Sequence, residues 1–370
     1  MTMLFLVLAV AFLAWANGGN DNFKSVATVY ASRTLGFRSS LKLATIAQVA
    51  GSVASLFLGA ALVRAFGGKG ILAAELIGDP RVLTAIAGGA ATVVILGTVT
   101  GMPLSTTHAL IGALLGTGLM LGPSEIMWPA VVSGLVLPLL TSPLLALALA
   151  GLAYPVCRSV RQRLGVTETT CLCVGGKVEP VLMQADGSMR GRRTGLTLTQ
   201  EQASICKQVP RGSVFGISAR SLVDGVHAAS AFAMGFARGL NDTPKILALL
   251  VAGNWSGLDP RISLAVIATA MAAGGWIQSR KVADTLGRRI TPMNPGQGLV
   301  ANGLSSFIII GASLMGMPVS TTHVSTGSIF GIGLWTREAN WRLVSGIVLA
   351  WGLTLPLAAL AAAAIGAALS

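Results

Sequence analysis

The chain has 370 residues, of which 53% are hydrophobic and only 11% are charged. A soluble domain usually has roughly a quarter of its residues charged, so this composition is that of a multi-pass membrane protein rather than a soluble enzyme. The formal net charge is +13, but basic clusters with interleaved aromatic residues are absent, which argues against nucleic-acid binding. Cytoplasmic loops of membrane proteins gather lysine and arginine and account for such a charge.

In chain order, apolar stretches alternate between those that could cross a bilayer and those that are too short. A crossing helix needs roughly 17–25 residues, and stretches of this kind occupy 41–66, 82–101, 128–153, 262–278, 297–315 and 341–369. Shorter or interrupted stretches occupy 1–16, 104–121, 222–237, 243–253 and 320–335. We interpret these as broken or re-entrant helices, which lipid tolerates only where protein or a cavity surrounds them. The first lacks a basic residue before its apolar run, so we predict a retained membrane segment rather than a signal peptide.

The middle of the chain differs from both ends. Residues 154–220 contain ten basic residues against Glu168, Glu179, Asp186 and Glu201, and no long apolar run. We predict a first membrane repeat at 1–153, a polar, basic cytoplasmic linker at 154–220 and a second membrane repeat at 221–370.

Two motifs occur once in each half. "ANGGNDNFK" begins at Ala16 and "ARGLNDTPK" at Ala237, while "GMPLSTTH" ends at His108 and "GMPVSTTH" at His323. The offsets are nearly equal, at 221 residues for the first motif (242 − 21) and 215 for the second (323 − 108). Two different motifs in the same order indicate duplication of a whole unit. Duplicated membrane units often build transporters with the site between the copies, and we favour an inverted second copy.

The Gly-Met-Pro-x-Ser-Thr-Thr-His motif predicts a helix that begins inside the membrane. Pro103 and Pro318 interrupt a helix arriving from upstream, and Ser105 and Ser320, or the threonines after them, are natural N-caps. Such a helix start has unpaired N–H groups and a positive dipole end, which together bind anions. The alternative is an ordinary N-cap at the membrane surface, but two matched copies in apolar sequence favour one anion held between two helix starts.

Asn-Asp-x-x-Lys places ionisable groups in apolar sequence, where by default they mark a transport path. The carboxylates of Asp21 and Asp242 suit a small cation, and the ammonium groups of Lys24 and Lys245 suit an anion. A structural Asp–Lys pair on one helix face is the alternative. His108 and His323 are either ligands or proton carriers, or neutral imidazoles that hold the helix caps in place.

With these residues in view, the sequence resembles the inorganic phosphate transporter (PiT) family of cation-coupled anion symporters, over about 1–153 and 221–370. The resemblance implies an all-α integral membrane protein with two inverted-topology repeats of transmembrane and broken helices, about 10–12 segments in total, and a homodimer. From their charge, we expect Lys24 and Lys245 to be substrate ligands. Carried over residue by residue, the resemblance implies a phosphate site at Ser105, Thr106, Thr107, Ser320, Thr321 and Thr322, with Asn20 and Asn241 as further substrate ligands. It implies coupling-cation ligands at Asp21, Asp242, Asn20 and Asn241.

One departure bears on the coupling ion. Many members of the family have asparagine where this chain has Lys24 and Lys245, so a lysine ammonium could replace a sodium ion, and both sodium and proton coupling stay open. We therefore expect a non-enzymatic importer of inorganic phosphate in the cell (plasma or inner) membrane, coupled to sodium or protons and without a cofactor. The alternatives are a sulfate permease of the same family and a non-transporting membrane nutrient sensor or scaffold.

Overall fold

The structure is a computed structural model that describes residues 2–67, 71–72, 74–166, 170–179, 192–202, 215–253, 259–288 and 293–370. It contains two compact units. One consists of Met1–Tyr154 together with His227–Ser370, and the other of Pro155–Val226. Both sequence halves therefore contribute to a single membrane unit.

Most described residues of the first half of the chain are helical. Its helices are α1 (Thr2–Asp21), α2 (Ala27–Ala31), α3 (Phe37–Leu58), α4 (Ala60–Phe66), α5 (Ala74–Ile77), α6 (Pro80–Thr100), α7 (Thr106–Leu121), α8 (Trp128–Val131) and α9 (Leu137–Arg163). A 3₁₀ turn, Asn22–Val26, joins α1 to α2, and a π-helical segment, Val132–Val136, joins α8 to α9.

The second half repeats this order after the linker. Its helices are α10 (Ala219–Ala252), α11 (Pro260–Gln278), α12 (Arg280–Arg288), α13 (Pro295–Leu314), α14 (Thr321–Thr336) and α15 (Trp341–Leu369). The predicted all-α membrane fold is confirmed for this unit.

Between α9 and α10, three strands form an antiparallel sheet that the sequence analysis did not predict. They are β1 (Thr170–Glu179), β2 (Arg192–Gln202) and β3 (Phe215–Ser218), in the order β2-β1-β3. The pairing of β1 with β2 shifts register between Gly176 and Lys177. The alternation of leucine and threonine over 196–199 is a strand signal, although the segment is too short and too polar to stand out beside long apolar runs.

Seven helical segments in the described part of the chain are long and apolar enough to cross a membrane. They are Thr2–Ala31, Phe37–Leu58, Pro80–Thr100, Trp128–Arg163, Pro260–Gln278, Pro295–Leu314 and Trp341–Leu369. Large apolar side chains point outward from them; Phe57 is 80% exposed and Phe307 is 76% exposed. An apolar outer surface of this kind is what a lipid environment requires, so the chain is a multi-pass membrane protein.

Helix starts follow from local sequence. Asp79 and Asp259 each precede a proline and accept a hydrogen bond from the backbone N–H two residues later, at 2.8 Å. Asn294 caps α13 in a reciprocal capping box with Gln297. Proline in the first helical position costs nothing because its missing N–H would have had no partner there.

Two expectations for the apolar stretches are wrong in detail. The stretches 222–237 and 243–253 are not separate segments, since α10 runs unbroken through Pro244. The stretch 41–66 is interrupted for one residue at Gly59, between α3 and α4, where helical backbone hydrogen bonds continue. A Cβ at Gly59 would lie 2.7 Å from the Pro244 ring, so this glycine leaves room for the proline of α10.

The two halves interlock through glycines. A Cβ on Gly116 of α7 would lie 2.1 Å from the carbonyl oxygen of Ala359 in α15, and a Cβ on Gly331 of α14 would lie 2.2 Å from that of Leu147 in α9. We call α7 and α14 the broken helices, because each restarts after an interruption. Each of them therefore packs at backbone distance on the last helix of the other half. Small residues permit this close approach between membrane helices.

We predict that Gly116→Ala and Gly331→Ala destabilise the protein by about 1–3 kcal/mol, the usual cost of overpacking. The measurement is the apparent melting temperature of the detergent-purified variants. The matched control is Gly352→Ala in α15, where a Cβ meets nothing within 4 Å and alanine favours the helix. Equal melting temperatures for all three variants would contradict the packing assignment.

Candidate substrate site

The chain leaves α6 and enters α7 in the same way as it leaves α13 and enters α14. Gly101 and Gly316 have φ angles of +75° and +69°, which L-residues with a Cβ rarely adopt. The N–H of the next residue, Met102 or Met317, reaches back to the carbonyl of Gly97 or Ala312 at 2.8 and 2.9 Å. This is the hydrogen bond of a Schellman cap. The glycine therefore ends each helix, and the proline, to which the sequence analysis attributed the interruption, lies two residues further on.

The restart matches the predicted caps. The Ser105 hydroxyl accepts from the backbone N–H of His108, and that of Ser320 from the N–H of His323, both at 3.2 Å. The first helical residues are then Thr106 and Thr321. The predicted N-caps of α7 and α14 are confirmed.

The two helix N-termini meet inside the protein. The hydroxyl oxygens of Ser105 and Ser320 are 2.8 Å apart, and both residues are buried. Two positive dipole ends and two sets of backbone N–H groups therefore converge on one point. All six serine and threonine residues predicted for phosphate lie at this junction: Ser105, Thr106, Thr107, Ser320, Thr321 and Thr322.

Each lysine crosses to the helix start of the other half. Lys24 donates to the Thr322 hydroxyl at 2.7 Å, and Lys245 donates to the Thr107 hydroxyl at 2.8 Å. Each ammonium also donates to the carbonyl before a capping serine, to Leu104 at 2.6 Å and to Val319 at 2.8 Å. The lysines therefore connect the repeats as well as pairing with the aspartates of their own motif.

The aspartates hold the lysines and the first threonine of each broken helix. Asp21 accepts from Lys24 and, through its other oxygen, from Thr106 at 3.1 Å. Asp242 lies 3.4 Å from the Lys245 nitrogen and accepts from Thr321 at 3.3 Å. Each carboxylate thus anchors one N-terminus and one ammonium.

The two asparagines of the motif have different partners. Asn20 brackets the break after α6, accepting from the Leu104 N–H at 3.1 Å and donating to the Met102 carbonyl at 3.0 Å. Asn241 accepts from Lys245 and donates to the Ser313 hydroxyl at 2.8 Å. Both amides therefore position the broken segments in this arrangement, and their predicted roles as substrate or cation ligands stay predictions.

The histidines lie directly behind the serine pair. Their ring centroids are 4.3 Å apart, and the His323 ring stacks at 3.8 Å on Trp351. Nδ1 of His108 is 3.2 Å from the Ser105 hydroxyl, a contact that fits the cap-holding interpretation. Nε2 of His323 has no hydrogen-bond partner among the described residues, so a proton-carrying role for this ring stays open.

Sequence reasoning missed Arg238. Its guanidinium Nη2 lies 3.7 Å from Asp21 Oδ2 and 3.6 Å from Asp242 Oδ2, and its side chain is 1% exposed. The signal was present in the repeat, because Arg238 occupies the position of Asn17 in the first copy. Asn17 donates from its amide nitrogen to Asp21 Oδ2 at 3.0 Å and to the Thr106 hydroxyl at 2.9 Å.

We refer to Asp21, Lys24, Arg238, Asp242 and Lys245 as the charge cluster. It has three cationic and two anionic side chains, so its fully ionised form has a net charge of +1. Such groups are costly in a membrane interior and are retained there at substrate and ion pathways.

Comparison with known proteins identifies a family for this chain. Residues 17–362 match the Phosphate transporter family. A probable low-affinity inorganic phosphate transporter of Mycobacterium tuberculosis (strain ATCC 25618 / H37Rv) is 29% identical over 376 residues, covering 97% of this chain and 76% of that protein. A probable low-affinity inorganic phosphate transporter of Rhizobium meliloti (strain 1021) is also 29% identical, covering 97% and 93%.

Among solved structures, one titled "The sodium-dependent phosphate transporter" superposes with a TM-score of 0.76 and 18% sequence identity. The superposition covers 100% of this chain and 98% of the other, so the two share a fold. Since the family match spans nearly the whole sequence, including both copies of each motif, this chain belongs to the phosphate transporter family.

Proposed function

We propose that the protein imports inorganic phosphate across the cell membrane by alternating access, with the anion bound between the N-termini of α7 and α14. The observation that carries this proposal is the buried contact between Ser105 and Ser320. Two helix starts that face one point supply N–H donors for several oxygens of one tetrahedral anion. The names of the two relatives above agree with this substrate.

Phosphate binding would replace existing hydrogen bonds at the two helix starts with hydrogen bonds to the anion. Ser105 and Ser320 bond to each other, and Thr107 and Thr322 each accept from a lysine. Separation of the two helix starts would free these hydroxyls for phosphate oxygens, while Lys24 and Lys245 followed the anion. A phosphate stripped of water needs such charge-assisted donors to offset the loss of its hydration.

For the coupling ion, we propose protons rather than sodium. Asp21 and Asp242, the expected sodium ligands, already contact ammonium and guanidinium groups of the chain itself. A sodium ion beside these carboxylates would lie close to three fixed positive charges, and like charges in a low-dielectric interior repel strongly. The structurally similar transporter is sodium-dependent by its title, so sodium coupling is the outcome that would overturn this choice.

Phosphate fits the site better than sulfate for a chemical reason. Both are tetrahedral oxyanions, but only phosphate keeps a proton near neutral pH, and that proton can be donated to a carboxylate. Asp21 and Asp242 lie at the two helix starts as acceptors. The family consists of transporters, in agreement with the expectation that the chain is not an enzyme. If a correctly inserted protein took up no phosphate, the sensor or scaffold alternative would be favoured.

We predict that Asp21→Asn and Asp242→Asn abolish phosphate uptake while the protein still inserts. Each change leaves a buried cation without its counter-ion, which is strongly unfavourable. Uptake of radiolabelled phosphate is measured in cells lacking other phosphate carriers, with the amount in the membrane quantified by immunoblot. Asp79→Asn is the control, since asparagine caps a helix as well as aspartate. Normal uptake by either variant removes that aspartate from the mechanism.

We also predict that Thr107→Val and Thr322→Val raise the apparent KM for phosphate. Each variant keeps the side-chain shape and loses one hydroxyl, and a hydrogen bond contributes about 0.5–1.5 kcal/mol, or up to about tenfold in affinity. Thr117→Val in α7 is the control, because among the described residues that hydroxyl bonds within its own helix, to Ala113. An unchanged KM in both variants would show that the hydroxyls do not contact the anion.

The coupling proposal predicts full uptake when choline replaces sodium at fixed pH. An inward proton gradient should accelerate that uptake, and a protonophore should slow it. The assay uses purified protein in proteoliposomes, so that both gradients are imposed. Loss of uptake in choline, restored by sodium alone, would refute proton coupling and assign a sodium ion to the aspartates.

A further inference from the structure

Arg238 has donors that nothing in the described protein uses. Its side chain is 1% exposed, and its Nε, Nη1 and Nη2 atoms have no hydrogen-bond partner among the described residues. The contacts to Asp21 and Asp242, at 3.7 and 3.6 Å, are too long to be hydrogen bonds. A guanidinium carries five N–H donors, and leaving them unpaired in a buried position is costly.

The aspartates do not depend on Arg238 for partners. Asp21 accepts from Lys24, Asn17 and Thr106, and Asp242 has Lys245 and Thr321. Because Lys24 pairs with Asp21 and Lys245 with Asp242, the charge of Arg238 is the one in the cluster that has no opposite charge of its own. An anion is the group that would both neutralise this charge and satisfy the free donors.

The position of the guanidinium ties it to the helix starts. Its Nη2 approaches Asp21 Oδ2 and Asp242 Oδ2, the same two atoms that accept from Thr106 and Thr321. Arg238 is thus linked, through one aspartate oxygen on each side, to the first residue of α7 and to that of α14. No arginine plays this part in the first repeat, where Asn17 occupies the equivalent position.

We propose that Arg238 is a substrate-binding residue that donates to the oxygens of the transported oxyanion. The planar fork of a guanidinium matches two phosphate oxygens, which an ammonium cannot do. This inference rests on the proposed function and adds to it an asymmetric ligand.

The test compares Arg238→Asn and Arg238→Lys with the unmodified protein. Asparagine is the residue of the first repeat, and lysine keeps the charge without the fork. We measure the KM for phosphate uptake in proteoliposomes and the Kd of phosphate for the purified protein in detergent. Hydrogen bonds to charged groups contribute about 1.5–3 kcal/mol, so Arg238→Asn should weaken both about ten- to a hundredfold. Arg238→Lys should fall between the two.

Two further measurements separate binding from a structural role. Arg261→Asn, an exposed position in the first turn of α11, should leave KM and Kd unchanged. Melting temperatures are recorded with and without phosphate. If Arg238→Asn melts lower but binds phosphate with unchanged affinity, Arg238 is a structural link between the aspartates and the inference is wrong. If that variant does not fold, wild-type affinity in Arg238→Lys would overturn the fork-based assignment.

If the unmodified protein takes up no phosphate, the proposed function fails instead. Binding of sulfate or phosphate to the purified protein, with and without Arg238→Asn, then decides separately whether Arg238 holds an oxyanion.

Discussion

The burial of five ionisable side chains at the meeting point of two helix starts governs the rest of this structure. Each charge must have a partner, because an isolated ion in a low-dielectric interior is strongly disfavoured. Asp21 and Asp242 meet this requirement by holding a lysine and a broken helix at the same time. Each lysine then reaches the other repeat. The charges therefore join the two halves, and movement of one helix start alters the partners of the other.

This coupling is reinforced by the way the halves interlock. α7 packs on α15 and α14 packs on α9 through glycines at backbone distance. The sequence halves therefore pack against each other at backbone distance, and a motion that moved them apart would break both glycine contacts. The glycines at 101 and 316, with their left-handed conformations, lie at the breaks where a change of direction costs least.

The sequence predicted the duplicated unit, the helix restarts and their serine caps, because each depends on a short local motif that occurs once in each half. It did not predict which partners the lysines choose, since Thr322 and Thr107 are distant in sequence and belong to the opposite repeat. Arg238 was missed because comparison of the copies concentrated on identical positions, whereas it stands at a position where they differ. Gly59, between α3 and α4, leaves room for the Pro244 ring of α10. This contact joins two distant segments and cannot be predicted from either one alone.

The difference between Asn17 and Arg238 also makes the two halves of the pseudo-symmetric site unequal. Asp21 takes hydrogen bonds from Asn17, Thr106 and Lys24, whereas Asp242 is held by Lys245 and Thr321 and has the Arg238 guanidinium in its own helix. Because α10 carries Arg238 with it, opening α14 away from α10 would separate Asp242 from Thr321 but not from Arg238. Opening α7 away from α1 would separate Thr106 from both Asn17 and Asp21. The two openings would therefore break different interactions, so the two halves of the site are energetically unequal although both helices restart in the same way.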